Sequence, residues 1–213
     1  MSAIESQRDG PEARAPTRRA IAKQQTRSRV LAAARKLFAE HGYERATIRD
    51  IAAAAQMSTG AVFANFADKS DLFHEIMRTD VGKVRADMLK VAAEGHDLAD
   101  ALVRMFEVGY RFYLPQLPLA RAAFSVAWSP SGPVLAGGAY GGGFDQVFRR
   151  VLEIAVARGE LRQDFRTALL AEMMCESYLA NYPLLIYQQA SLDAVLDRAR
   201  AQVAILIAGA QAY

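Results

Sequence analysis

Residues 47–66, TIRDIAAAAQMSTGAVFANF, constrain the fold more than any other segment of this chain. Thr47 is followed three residues later by Asp50, which predicts a capped helix start, and Ser58 predicts a second start. The segment therefore fits two short helices joined by a tight turn. The second helix carries mainly small and polar side chains, so it suits the major groove of DNA better than a protein core.

Helical periodicity continues along the chain, and no segment shows the alternation of a strand bounded by turn signals. Thr17 can cap a first helix, and Gly42 can close it in the left-handed conformation. Asp68, with Asp71 three residues on, caps a fourth helix that continues to about residue 93. The predicted fold class is therefore all-α, with about nine helices in total. The later helices are predicted over residues 98–114, 119–128, 144–158, 166–189 and 191–208.

Two features interrupt this pattern. Pro183 falls inside the 166–189 segment, where it removes the hydrogen bond to Leu179 and should kink or break the helix near Asn181. The glycine-rich stretch 129–143 is predicted to be a long internal loop, and loops of this length are often functional or disordered.

The composition limits the class of protein. With 52% hydrophobic and 23% charged residues in a length of 213, it is typical of a globular protein. A single cysteine, Cys175, excludes an intramolecular disulfide and suits a reducing compartment. No run of 18 apolar residues predicts a membrane helix, and the N-terminus lacks the apolar core of a signal peptide. A cytoplasmic location without membrane partners is therefore expected.

Positive charge is concentrated near the N-terminus. Eight cations and no anion fall between Ala13 and Lys36, although the net charge of the whole chain is only +3. A basic segment on a mildly acidic remainder is the electrostatic pattern of a DNA-binding domain. A solvated tail followed by a charged helix face explains the same pattern, and the charges alone do not separate the two interpretations.

Several motifs of the N-terminal region match a known family. They are VLAAARKLFAEHGY over residues 30–43, TxxDIA from Thr47, MSTGAVFANF over 57–66, and DKSDL from Asp68. Together they closely resemble the DNA-binding domain of the TetR family of bacterial regulators, over about residues 24–84. The chain departs from the family pattern at the turn and on the second helix, where it has Gln56, Phe63, Ala64 and Asn65.

The resemblance implies a division of the chain. Residues 1–16 are an expected disordered tail, and 17–23 form a basic arm and the start of the first helix. Residues 24–84 form the DNA-binding domain, with the helix-turn-helix at 47–66, and 85–213 form a larger helical ligand-binding and dimerisation domain.

The motif and the resemblance predict contacts with double-stranded DNA. Asn65 suits an adenine edge, Ala61 and Ala64 suit a thymine methyl, and Lys69 suits a phosphate. In the basic arm, the resemblance favours phosphate or minor-groove contacts. The predicted DNA-binding residues are Thr47, Ser58, Thr59, Gly60, Ala61, Phe63, Ala64, Asn65 and Lys69, together with Arg18, Arg19, Lys23 and Arg27.

For the C-terminal domain, the resemblance implies a receptor for a small-molecule effector and a homodimer formed by the last two helices. Aromatic and polar residues of this domain suit a ligand pocket, although core packing explains most of them equally well. The pocket candidates are Glu107, Tyr110, Tyr113, Phe124, Trp128, Phe148, Tyr178, Asn181 and Tyr182.

The last two helices also carry long apolar stripes that suit a four-helix dimer interface. The stripe on the earlier helix consists of Leu169, Leu170, Met173 and Met174. The interface candidates are Leu170, Met174, Leu192, Val195, Leu196, Ala199, Val203 and Leu206.

The predicted function is that of a ligand-responsive repressor which binds a palindromic operator as a homodimer. An activator or an effector-independent regulator is an alternative. A helical enzyme that uses Cys175 is a remote one, because no phosphate loop or nucleophile motif is visible. His41, His74 and His96 form no metal-ligand pattern, so no metal and no cofactor are expected.

Overall fold

The computed structural model describes residues 17–94, 97–127 and 143–210. Within these ranges no β-strand is present, which confirms the all-α prediction. A 3₁₀ turn, Leu114–Gln116, follows the fifth helix. The described α-helices are α1 (Arg18–His41), α2 (Ile48–Ala54), α3 (Thr59–Phe63), α4 (Lys69–Ala92), α5 (Leu98–Tyr113), α6 (Leu117–Ala127), α7 (Phe144–Ala157), α8 (Thr167–Ala180), α9 (Tyr182–Tyr187) and α10 (Leu192–Ala208).

The helix ends form where the capping residues predict them. The side chains of Thr17, Asp68 and Ser191 each accept a hydrogen bond from the backbone of the first helical turn, which satisfies an otherwise unpaired N–H. At the other end of α1, Gly42 has φ 80° and donates its N–H to the Phe38 carbonyl. These local signals fix the position of α1 and α4, the two helices that frame the helix-turn-helix.

Proline divides the predicted 166–189 helix. α8 ends at Ala180, Asn181 caps it, and α9 begins at Tyr182 with Pro183 in its first turn. Proline is tolerated in a first turn because its missing N–H has no partner there in any case. The described ranges therefore contain ten α-helices rather than about nine.

Two hydrophobic cores organise the described residues. The first joins α1, α2, α3 and the N-terminal half of α4, and the second joins the C-terminal half of α4 to α5 and α7–α10. α4 thus contributes Ile76 to one core and Val84 to the other. α6 also enters the first core, through Leu119 and Ala122, so the C-terminal part of the chain packs directly against α1.

Some predictions concern residues outside the described ranges. These are the disordered tail at 1–16, the loop at 129–143 apart from its last residue, Trp128 and His96. Of the helices in the described ranges, none combines the length and hydropathy needed to span a bilayer. Among the same residues, no group of three or more His, Cys, Asp and Glu side chains is placed to hold a metal ion.

Candidate nucleic-acid interface

The helix-turn-helix forms by the predicted capping. Thr47 Oγ1 accepts the Asp50 N–H at 3.2 Å, and the Asp50 carboxylate accepts the Thr47 N–H at 3.2 Å. Ser58 Oγ accepts the Ala61 N–H at 3.2 Å and starts α3. Between the two helices, Gln56 has φ 55°, in the left-handed region that the chain must enter to make the tight turn.

α3 buries one side and exposes the other. Val62 is fully buried, and Phe66 just beyond the helix is 2% exposed, so both anchor α3 on the first core. Ala61 is half-buried. Phe63, in contrast, has 55% of its surface exposed. The exposed side of α3 consists of Thr59, Gly60, Phe63 and the capping residue Ala64.

Asn65 and Arg27, both predicted DNA contacts, are engaged with the protein. The Asn65 amide nitrogen donates to the Ala61 carbonyl at 2.9 Å, and its buried Oδ1 has no hydrogen-bond partner among the described residues. Arg27 Nη1 donates to the Asn65 carbonyl at 2.7 Å, while its guanidinium lies 4.1 Å from the centre of the Phe66 ring. Arg27 also pairs with Glu75 on α4 at 3.5 Å. Arg27 therefore ties the end of the helix-turn-helix to α4.

Lys69 is held in a similar way at the start of α4. Its ammonium donates to the carbonyls of Tyr43 and Glu44, at 2.9 and 3.3 Å, and lies 4.4 Å from the centre of the Tyr43 ring. Burial raises the pKa of Tyr43, so this phenol stays protonated at neutral pH. In this conformation Lys69 stabilises the loop before α2, and a phosphate contact requires at least one of these bonds to be exchanged.

Five further cations near the helix-turn-helix form no ion pair within the described ranges. Arg18, Arg19 and Lys23 lie exposed on the first turns of α1, and none forms an ion pair with any residue in the described ranges. Arg45 and Arg49, on either side of Thr47, are exposed and equally unpaired there. Arg45 and Arg49 are not among the DNA contacts predicted from the sequence, although their positions on either side of Thr47 are visible in it.

A nearby carboxylate is stabilised in its charged form. The hydrogen bond from Arg78 lowers the pKa of Glu75, and the charges of Arg78 and Arg27 act in the same direction. Glu75 therefore remains an anion at neutral pH and holds Arg27 in an ion pair.

An ion pair between α1 and α4 is hydrogen-bonded to the 3₁₀ turn after α5. Arg35 on α1 makes a bidentate contact with Asp80 on α4, and one of these bonds is 2.8 Å long. Asp80 is fully buried, whereas the Arg35 side chain is 33% exposed. The same guanidinium donates to Gln116 Oε1 at 3.0 Å, and Gln116 donates to the Phe112 carbonyl at 3.2 Å. This cluster was not predicted from the sequence.

The predicted ligand-pocket residues form a closely packed group in the second core. Tyr110 and Tyr178 stack with ring centroids 5.4 Å apart, and Tyr182 meets both rings edge-on. Phe148 contacts Tyr178, and Phe124 contacts Tyr182. The structure therefore brings together most of the candidates, and it fills the space between them with their own rings.

Three of the tyrosine hydroxyls in this cluster form hydrogen bonds within it. Tyr110 donates to the Tyr178 carbonyl at 3.0 Å, and the hydroxyls of Tyr178 and Tyr182 lie 2.6 Å apart. Tyr113 Oη, also buried, has no hydrogen-bond partner in the part of the chain that is described. Burial raises the pKa of all four tyrosines, so they are neutral donors at physiological pH.

Asn181, at the break between α8 and α9, connects Tyr110 to α10 by hydrogen bonds. Its amide nitrogen donates to Tyr110 Oη at 3.0 Å and to Gln202 Oε1 at 2.8 Å. Its Oδ1 accepts from Arg198 Nε at 3.1 Å. Asn181 is fully buried, and these bonds explain how its polar group is tolerated there.

Three further candidates differ from this group. Glu107 faces outward, with its side chain 30% exposed, and pairs with Arg111 at 2.6 Å. Trp128 lies outside the described residues. Cys175 is buried, and burial raises the pKa of its thiol to about 12, so it is a poor nucleophile at neutral pH.

A separate surface groove of about 260 Å³ lies where the end of α4 and the start of α5 meet α7.

The predicted interface residues are largely covered within the protomer. Leu170, Met174, Val195, Leu196, Ala199 and Val203 are buried within the protomer, and Leu192 and Leu206 are half-buried. A side chain that its own protomer already covers has almost no surface to bury against a second copy. The large apolar side chains that α8 and α10 expose are Leu169, Met173 and Ile205, at 42%, 42% and 75%.

A small helix-turn-helix unit joined by a long helix to a larger helical body defines the class of helix-turn-helix transcriptional regulators. Residues 30–76 match the family described as "Bacterial regulatory proteins, tetR family". This match shows a TetR-type DNA-binding domain over residues 30–76.

Sequence relatives resemble part of the chain. It is 38% identical over 87 residues to the transcriptional repressor AcnR of Corynebacterium glutamicum, covering 41% of this chain and 44% of that protein. It is 43% identical over 60 residues to the repressor Rv1474c of Mycobacterium tuberculosis, covering 28% of this chain and 32% of that protein. The chain thus matches less than half the length of these relatives.

Solved structures resemble nearly the whole fold. FadR of Thermus thermophilus, a TetR-family repressor solved with lauroyl-CoA, superposes with a TM-score of 0.69 at 22% identity, covering 86% of this chain and 94% of that one. SmeT of Stenotrophomonas maltophilia, repressor of a multidrug efflux pump, superposes with a TM-score of 0.67 at 20% identity, covering 89% and 92%. At this identity the likeness concerns the fold alone.

Proposed function

We propose that this protein is a transcriptional repressor that binds a palindromic operator as a homodimer and is released by a small-molecule effector. The observation that carries the proposal is the exposed side of α3, together with the exposed cations of α1, of α2 and of the loop between them that form no ion pair in the described part of the chain. A short helix with small exposed residues can enter a major groove, and unpaired cations can contact the adjacent phosphates without first breaking an ion pair.

Two kinds of protein group supply the proposed DNA contacts. The exposed residues of α3 face the base edges, and Thr47 lies beside the backbone. Arg18, Arg19 and Lys23 contact phosphates from the first turns of α1, and Arg45 and Arg49 add to this positive surface. Asn65, Arg27 and Lys69 remain candidates whose present hydrogen bonds must open before they reach DNA.

The effector is proposed to bind in the C-terminal body near the tyrosine cluster. Tyr113 Oη, which lacks a partner in the described ranges, offers a hydrogen bond to such a ligand. The related fold of a repressor solved with lauroyl-CoA supports small-molecule binding by this architecture. A thermal-shift screen with acyl-CoA thioesters and aromatic drugs tests this part, and a rise in Tm that also weakens DNA binding is the expected result.

The first experiment measures binding of the full chain to the DNA upstream of its own gene, by fluorescence anisotropy at several salt concentrations. We expect that DNA to bind at least tenfold more tightly than random DNA of equal length. Replacement of Arg19 or Lys23 by Ala should lower the slope of log K against log salt by about one unit each, because one phosphate contact is lost. Arg149→Ala, on α7 and distant in sequence, is the matched control and should leave the slope unchanged.

Two outcomes would contradict the proposal. Equal affinity for upstream and random DNA would remove the claim of a specific operator at this site. An unchanged salt slope in both variants, with the control also unchanged, would show that the first turns of α1 do not contact phosphates.

A further inference from the structure

The exposed side of α3 has few hydrogen-bonding groups. Of Thr59, Gly60, Phe63 and Ala64, only Thr59 has a polar side chain, and this holds for the fully described segment 58–66. Ser58 uses its hydroxyl to cap the helix. The chain therefore offers the major groove a mainly apolar surface.

Asn65, the remaining polar candidate of the segment, has its side chain turned toward the protein. An asparagine reads adenine by donating from its amide nitrogen and accepting at its oxygen at the same time. In Asn65 the nitrogen donates to the Ala61 carbonyl and Oδ1 is buried. Arg27 holds the backbone of the same residue and stacks on Phe66, which restrains the end of the segment.

Phe63 is the largest group on this surface. Its ring is 55% exposed, and neighbouring Gly60 has no side chain, so nothing at that position blocks approach of the ring to another molecule. A Cβ at Gly60 would find only Ser58 Oγ within 4 Å, at 3.8 Å. The major groove presents one apolar group to such a ring, the C5 methyl of thymine.

We propose that α3 recognises its operator mainly through apolar contacts of Phe63 and Ala64 with thymine methyl groups. This inference rests on the proposed function, because it specifies the chemistry by which the same surface discriminates between sequences. Uracil pairs like thymine but lacks the methyl, so it isolates this contact from all hydrogen bonds and from the phosphate backbone.

The experiment begins with selection of tight-binding duplexes from a random DNA pool by the full-length protein. The selected duplex is then synthesised with deoxyuridine in place of one thymidine at a time. At one or two positions of each half-site, the affinity should fall about fourfold per methyl removed. In a symmetric double replacement the two losses should multiply to about fifteenfold.

Protein variants assign the effect to the ring. Phe63→Ala should bind the thymine duplex more weakly and should no longer distinguish it from the uracil duplex at the affected position. Phe63→Leu keeps an apolar side chain and should retain part of the discrimination. Tyr187→Ala removes a comparably exposed aromatic ring from α9 and should behave as the wild type. Circular dichroism and Tm verify that each variant is folded.

The outcomes separate this inference from the proposed function. Enrichment of no duplex would defeat the proposed function and this inference with it. A selected duplex that binds equally well with uracil at every position would overturn this inference alone. Equal weakening of thymine and uracil duplexes by Phe63→Ala would also overturn it, since the ring would then contact sugar or phosphate. A changed base preference in Asn65→Ala would assign the sequence readout to hydrogen bonds of Asn65 and would also overturn this inference.

Discussion

Gln56 shows how a single residue limits the stability of the DNA-binding domain. It adopts φ 55° in the turn between α2 and α3, where the N–H groups of Gln56 and Met57 bond back to the carbonyls of Ala53 and Ala52. These bonds close the turn and require a left-handed backbone conformation at Gln56. A residue with a Cβ is disfavoured in that region, whereas glycine is not.

Replacement of Gln56 by Gly should therefore stabilise the protein by about 0.5–1 kcal/mol, after the larger chain entropy of glycine in the unfolded state is deducted. The measurement is urea unfolding followed by circular dichroism. Gln24→Gly is the matched control: this residue lies exposed within α1, so glycine should destabilise by about 1 kcal/mol. A lower midpoint for Gln56→Gly than for wild type would show that the glutamine side chain makes a stabilising contact which outweighs the strain.

At the scale of the elements, α1, α4 and the turn before α6 are joined by Arg35, Asp80 and Gln116. A signal for this cluster was present in the sequence, because Asp80 stands between Ile76 and Val84 on the buried stripe of α4. An acidic residue at such a position requires a partner, but the periodicity of one helix cannot identify a partner on another. The capping residues, in contrast, act within one turn and were predicted correctly for α1, α2, α3 and α4.

The two sides of this ion pair should respond unequally to mutation. Arg35→Met leaves the fully buried Asp80 carboxylate without its cation and should cost about 3 kcal/mol of unfolding free energy. Asp80→Asn should cost about 1–2 kcal/mol, because the Arg35 guanidinium already reaches solvent. Urea titration measures both values, and the double variant Arg35→Met, Asp80→Met should recover most of the loss. Equal costs for the two single variants would contradict the asymmetric burial on which this prediction depends.

Across the whole molecule, the sequence predicted where the helices lie better than it predicted which face of each helix is buried. The break near Asn181 follows from Pro183 alone and was predicted. The exposed side of α10 was not predicted, because the apolar residues of this helix cover a broad arc. Only packing against α5 and α8 decides which of these residues remain accessible. The tyrosine cluster was incompletely predicted for the same reason. The sequence identifies a group of aromatic residues, but only the fold shows that their rings pack against each other.

The exposed apolar side of α8 and α10 predicts where two copies associate. Ile205 is 75% exposed, and a two-fold interface would use it twice, once from each protomer. Ile205→Asp should therefore raise the dimer dissociation constant at least about thirtyfold, because the carboxylate would be desolvated without a partner. Sedimentation velocity across a concentration series measures the change, and DNA affinity should fall in parallel because one helix-turn-helix reads only half of a palindrome. Ile154→Asp, on the exposed side of α7, is the control and should remain a dimer. A dimer that persists in Ile205→Asp but dissociates in Ile154→Asp would transfer the interface from α10 to α7.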